Sequence, residues 1–146
     1  MLVYLDNCCY NRPFDDVSRE KIHFESEAVL AIIGMRKRND YEIIGSPALD
    51  FEIERIGDFV KREKVRNFYE QTISKKVNYN NDVLRLAKEL CEYTGIKTLD
   101  SFHLSFAVNF NVGVLLTTDN KFEKAALKLN MKTRVINPLK YLMEVI

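Results

Sequence analysis

Four carboxylates stand where apolar segments end or helices begin: Asp6, Glu52, Asp100 and Asp119. Asp6 follows LVYL and Asp119 follows VGVLLTT, two runs apolar enough for strands covered on both faces. Glu52 lies in PALDFEIERI, just after the strand-like YEIIGS, and Asp100 falls in the first turn of LDSFHLSFAVNF. Each acid has an ordinary use taken singly: Asp119 as a helix N-cap, Asp100 as a complement to a helix dipole, Asp6 as a loop residue. Helical projection at about 100° per residue separates two of them from that background. Leu49, Ile53 and Ile56 define a buried arc with Glu52 at its margin, whereas Asp50 and Glu54 turn further toward solvent. Leu99, Phe102, His103, Phe106, Ala107 and Phe110 form one apolar face, and Asp100 borders it. A carboxylate bordering a core is costly unless something compensates its charge.

Two carboxylates about 4 Å apart repel by roughly 4 kcal/mol at an effective dielectric near 20. Three or four together require shared protons or a divalent cation. Oxygen donors without His or Cys favour a hard ion, Mg²⁺ or Mn²⁺, over zinc. Such a centre activates water and neutralises a phosphodiester undergoing in-line displacement, so metal-dependent phosphoryl hydrolysis is the chemistry this donor set points to. Two more conspicuous features read differently. His103, in the middle of an apolar face, reads as a packed core histidine. Three cysteines with no CxxC spacing give neither a disulfide framework nor a zinc site. Cys8 and Cys9, neighbours in an extended segment, would point apart and read as small buried side chains.

The elements that must bring these acids together alternate along 146 residues. Strands are expected at LVYL, YEIIGS, KKVNYN, VGVLLTT and TRVI. Helices are expected over 17–38, from Pro47 with Ser46 as N-cap, over 58–74, and in NDVLRLAKELCEYTG with Asn80 or Asn81 near its start and Gly95 at its end. Thr98 is expected to cap LDSFHLSFAVNF, with DNKFEKAALKLN and PLKYLMEV as the closing helices. This alternation predicts an α/β protein: a three-layer α/β/α sandwich around a mainly parallel sheet of about five strands. In such folds ligands bind beyond the carboxyl ends of the strands, where all four acids would lie. No repeat, linker or composition break divides the chain, so residues 1–146 are expected to form one domain. Its 22 basic and 21 acidic residues leave a net charge of +1, which names no partner. Lys121, Lys124 and Lys128 read as a solvated helix face. No run approaches the roughly 20 apolar residues of a membrane span, and the N-terminus lacks a signal-peptide plan, so a cytoplasmic protein without membrane attachment is expected.

YLD, GSPALDFEI, IKTLDSFHLSFA and LLTTDNKF together resemble the PIN domain in order and spacing over essentially the whole chain. The resemblance implies a PIN-like ribonuclease: a Mg²⁺- or Mn²⁺-dependent endoribonuclease leaving 5′-phosphate and 3′-hydroxyl ends. Many small bacterial and archaeal members are toxins of VapBC-type toxin–antitoxin pairs, which implies a possible antitoxin partner and a homodimer, for which the helices at 47–74 offer apolar surface. Carried over by residue, Asp6, Glu52, Asp100 and Asp119 match the family's four acids as catalytic and metal-binding groups. Thr117 matches a position that supports the metal site, and Asn7 and Arg12 lie close enough to touch the site or its RNA substrate. The chain departs from the best-known toxins at Asn7, Cys8 and the NRPFDD stretch, where it resembles a distinct prokaryotic branch. The alternative is a PIN-fold module that binds RNA or a protein without cutting, which the complete acidic set argues against.

Overall fold

Five strands make one sheet in the computed structural model, which describes all of residues 1–146. They are β1 (Leu2–Leu5), β2 (Glu42–Gly45), β3 (Lys75–Lys76), β4 (Val114–Leu116) and β5 (Arg134–Ile136), in the order β3-β2-β1-β4-β5. Every adjacent pair is parallel, so the sheet is wholly rather than mainly parallel. Val3, Tyr4 and Leu5 in β1 and Leu115 and Leu116 in β4 are fully buried, as central parallel strands require. The helices are α1 (Asn7–Asn11), α2 (Glu20–Gly34), α3 (Pro47–Glu54), α4 (Phe59–Thr72), α5 (Asn81–Thr94), α6 (Thr98–Asn109), α7 (Asn120–Leu127) and α8 (Pro138–Val145). Together they complete a three-layer α/β/α sandwich around a continuous apolar core.

The chain leaves β1 toward β2 and β3, then returns to the other side of β1 to lay down β4 and β5. The strand order therefore reverses between β1 and β4, and a crevice opens beyond their carboxyl ends. Asp6 and Thr117 are the first residues past those two strands, and the rung is tied by the Asp6 N–H bond to the Leu116 carbonyl (2.9 Å).

Helix boundaries follow local chemistry. Ser46 accepts from the Leu49 N–H, Asn80 from the Val83 N–H and Asn137 from the Leu139 N–H, capping α3, α5 and α8. Gly95 ends α5 in the left-handed region at φ 73°. Five expectations need correction. Residues 7–11 form a short helix rather than extended chain, because Asp6 caps it by accepting the Asn7 N–H, and Arg12–Phe14 add a 3₁₀ turn. The helix expected over 17–38 spans only Glu20–Gly34. The third strand shrinks to two exposed lysines, with Val77 packed against the core just beyond them. Thr98 is the first residue of α6, not its cap; Lys97 holds the cap position without a side-chain bond. Nor does α6 present one apolar face. Ser101, Leu104 and Ser105 are buried alongside His103 and Phe106, while Leu99, Phe102 and Phe110 are half-buried.

Gly45 marks a close approach just before the site. A Cβ there would stand 2.3 Å from the Tyr69 hydroxyl and 2.7 Å from Ile73 Cδ1, and Tyr69 is itself buried and bonded to Ser46. Gly45→Ala is expected to destabilise the fold by about 1–3 kcal/mol, read from urea unfolding. An unchanged midpoint would contradict the close packing of β2 against α4.

Candidate metal centre

Two of the acids are placed by the sheet and two by helices that start or run beside it. Asp6 is buried at the end of β1. Its Oδ1 accepts the Asn7 N–H at 2.7 Å and its Oδ2 accepts the Thr117 hydroxyl at 2.8 Å. Thr117 Oγ1 in turn accepts the Asp119 N–H at 3.1 Å, so one hydroxyl links the acids that follow β1 and β4. Asp119 caps α7 with Oδ1, which accepts the N–H groups of Lys121 and Phe122. Glu52, in the last turn of α3, accepts from Asn7 Nδ2 at 3.4 Å. Asp100 occupies the first turn of α6. Asp6, Glu52, Asp100 and Asp119 all line one polar cavity of about 360 Å³, together with Asn7, Cys8 and Arg12.

His103 proves to be more than packing. It is fully buried one turn after Asp100, and its Nε2 hydrogen-bonds Glu52 and lies 3.5 Å from Asp6 Oδ1. Asp6, Glu52 and His103 each offer one ligand-type atom within 4.8 Å of the others. Nδ1 meets the Tyr4 hydroxyl at 2.5 Å, and Tyr4 meets Ser46 Oγ at 2.6 Å. A buried polar chain thus runs from the α3 cap through β1 to the floor of the cavity. The i, i+3 spacing of Asp100 and His103 was the available signal, since it puts both on one helix face. Cys8 also differs from expectation. Its Sγ accepts the Thr118 N–H at 3.3 Å and lines the cavity, while Cys9 alone is fully buried packing.

The two cations that line this cavity, Arg12 and Lys61, are engaged elsewhere. Arg12 donates to Asp15 at 2.7 Å and to buried Glu25 at 3.0 Å, and Lys61 donates to Asp15 at 2.6 Å. No lysine or arginine pairs with any of the four cavity acids; the only ion pairs of Asp6 and Glu52 are with His103.

The sequence model of the PIN domain family matches residues 10–128. The chain belongs to the PIN domain family. The matched segment contains Glu52, Asp100 and Asp119, and Asp6 lies just before it. The crystal structure of FitAcB from Neisseria gonorrhoeae shares the fold, with a TM-score of 0.62 and 17% identity over 93% of this chain and 97% of that one. No curated protein matches the sequence. PIN domains are generally nucleases that use divalent metal ions.

The electrostatics of this PIN domain follow from crowding. Burial raises the Asp100 pKa to about 7, reinforced by Asp6 and, less strongly, by Asp119 and Glu52, against the opposing pull of His103. Burial also raises that of Asp6; His103 opposes the rise and Glu52 adds to it. For His103, burial favours the neutral ring, yet the Glu52 hydrogen bond and the surrounding carboxylates carry its pKa above the ordinary value. Oxygen donors that repel one another and lack a lysine or arginine partner fit a hard divalent cation. Asp6 and Glu52, with His103 between them, have ligand-type atoms close enough to share one ion, and Asp100 and Asp119 line the same cavity outside that group.

These shifts share one sign. The folded state keeps a proton on Asp100 that the unfolded chain releases near pH 4, so ionising it costs stability as pH climbs to about 7. Raised Asp6 acts likewise, and the favourable His103 imidazolium contribution is lost as pH rises through its folded pKa. In EDTA, the Tm of the wild type relative to Asp100→Asn should therefore fall between pH 4 and 8. A relative Tm that rises over that range would contradict the crowding.

Proposed function

We propose that this PIN domain is a Mg²⁺- or Mn²⁺-dependent endoribonuclease acting on single-stranded RNA. The carrying observation is the convergence of four carboxylates on one open cavity with no lysine or arginine pairing any of them. Asp6, Glu52, Asp100 and Asp119 hold the ion, which when bound supplies positive charge at the scissile phosphate and lowers the pKa of water.

The chain's own residues keep that arrangement in register. Thr117 and the Asn7 N–H fix both oxygens of Asp6, while Asn7 Nδ2 and His103 orient Glu52. Capping α7 with Oδ1 leaves Asp119 Oδ2 without a protein partner and available as a ligand. His103 has both ring nitrogens engaged and no exposed surface, so it orients the carboxylates and does not meet substrate. Arg12 lines the cavity with part of its guanidinium held by Asp15 and Glu25, a pre-set cation beside the path of an RNA backbone.

The resemblance to the PIN domain, many of whose small members are toxins of toxin–antitoxin pairs, supports placing this activity in a toxin restrained by an antitoxin. Asp6→Asn and Asp100→Asn should each lower Mn²⁺-dependent cleavage of a labelled single strand by at least the roughly 10–100-fold that losing a supporting partner costs a metal site. The same substitutions should relieve any growth arrest caused by expressing the wild type. Full cleavage in EDTA, or by either variant, would sink the proposal.

A further inference from the structure

The acidic cavity is continuous with a larger, differently lined cleft. Of about 720 Å³, this cleft shares Glu52, Asp100 and Asp119 with the polar cavity and adds Phe51, Tyr79 and Phe102 as an aromatic wall. Phe51 and Tyr79 are 50% and 48% exposed, so each offers ring surface to the cleft. Tyr79 meets Phe102 edge-on at 6.1 Å and is steadied from below by Phe106 at 5.2 Å. Two cations complete the cleft. The Arg55 guanidinium lies 5.2 Å over the Phe51 ring, and exposed Lys97 holds the N-cap position of α6; neither forms an ion pair. On the other side of the acids the lining is polar, with Asn7, Asn11, Arg12 and Lys61 and no aromatic ring.

We propose that Phe51, Tyr79 and Phe102, flanked by Arg55 and Lys97, form a stacking subsite for an unpaired nucleobase beside the cleaved phosphate. The proposal rests on the nuclease reading for the identity of the strand. A half-exposed ring accepts any base on its open face, Phe51 on the face opposite Arg55, and cations without ion-pair partners beside the rings meet the adjoining phosphates. The contrast across the acids assigns bases to the Phe51 side and sugar-phosphate backbone to the Asn7 side. A duplex cannot use the shelf, because its bases are stacked inside the helix.

The test measures anisotropy of a short fluorescein-labelled, mixed-sequence RNA with Ca²⁺ replacing Mg²⁺ to suppress cleavage, on the full chain. Phe51→Leu and Tyr79→Leu should each weaken single-strand binding about tenfold, with Phe51→Tyr retaining it, while the fold is checked by Tm. Tyr93→Leu, at an 80% exposed ring outside the cleft, should bind as wild type does. In Mn²⁺ cleavage assays the leucine variants should raise KM more than they lower kcat. Wild-type affinity in both leucine variants overturns the subsite and leaves the cleft to an apolar peptide segment; equal losses for single strand and duplex also overturn it. If the wild type cleaves nothing yet the leucine variants lose binding, the nuclease reading fails and the subsite stands.

Discussion

The parallel rung between β1 and β4 is the contact on which the site depends. Leu5 pairs with Leu116, the Asp6 N–H closes onto the Leu116 carbonyl, and Thr117 then faces Asp6 across the strand ends. A register slip of one residue would reverse the face of every side chain beyond it. Because the strands are fully buried, such a slip would turn polar groups into the core, and the register is correspondingly strict. The sheet thus brings together two acids 113 positions apart in sequence (119 − 6) without any long side chain having to reach.

Holding four carboxylates at that place has an energetic cost, and the surroundings show how it is limited. Backbone N–H groups and the Thr117 hydroxyl satisfy Asp6 and Asp119, and His103 supplies partial positive charge from below. The imidazole is anchored in turn by Tyr4 and Ser46, so a polar chain crosses from one strand to two helices within an otherwise apolar core. Satisfied networks of this kind hold geometry, whereas a half-satisfied one would weaken the fold. What the lysines and arginines do not do is equally informative. Arg12 and Lys61 neutralise Asp15 and Glu25, leaving the cavity acids for a ligand cation.

Much of this was legible in the residues because burial leaves a plain mark on parallel strands. Asp6 and Asp119 could be placed since each ends a short apolar run, and Glu52 was separated from Asp50 and Glu54 by helical projection alone. The same projection misjudged His103, because it reports that a face is buried and not which polar atoms wait there. Tyr4 and Glu52 supply those atoms from other elements. α1 escaped notice because five residues, NCCYN, are too few to show a helical period. Tyr79 sits between β3 and α5, where no periodicity exists, so the aromatic wall appears only once Phe51 and Phe102 are brought beside it.

The central claim is that the four acids act as one site for a hard divalent ion. Calorimetric titration of Mn²⁺ at pH 7, run in two buffers of different ionisation enthalpy, tests it most directly. Asp100, with its pKa raised to about 7, must release its partial proton when the ion binds. Saturable binding accompanied by proton release is expected, with both diminished in Asp100→Asn. Absence of saturable binding, or unchanged affinity and proton release in that variant, would contradict it.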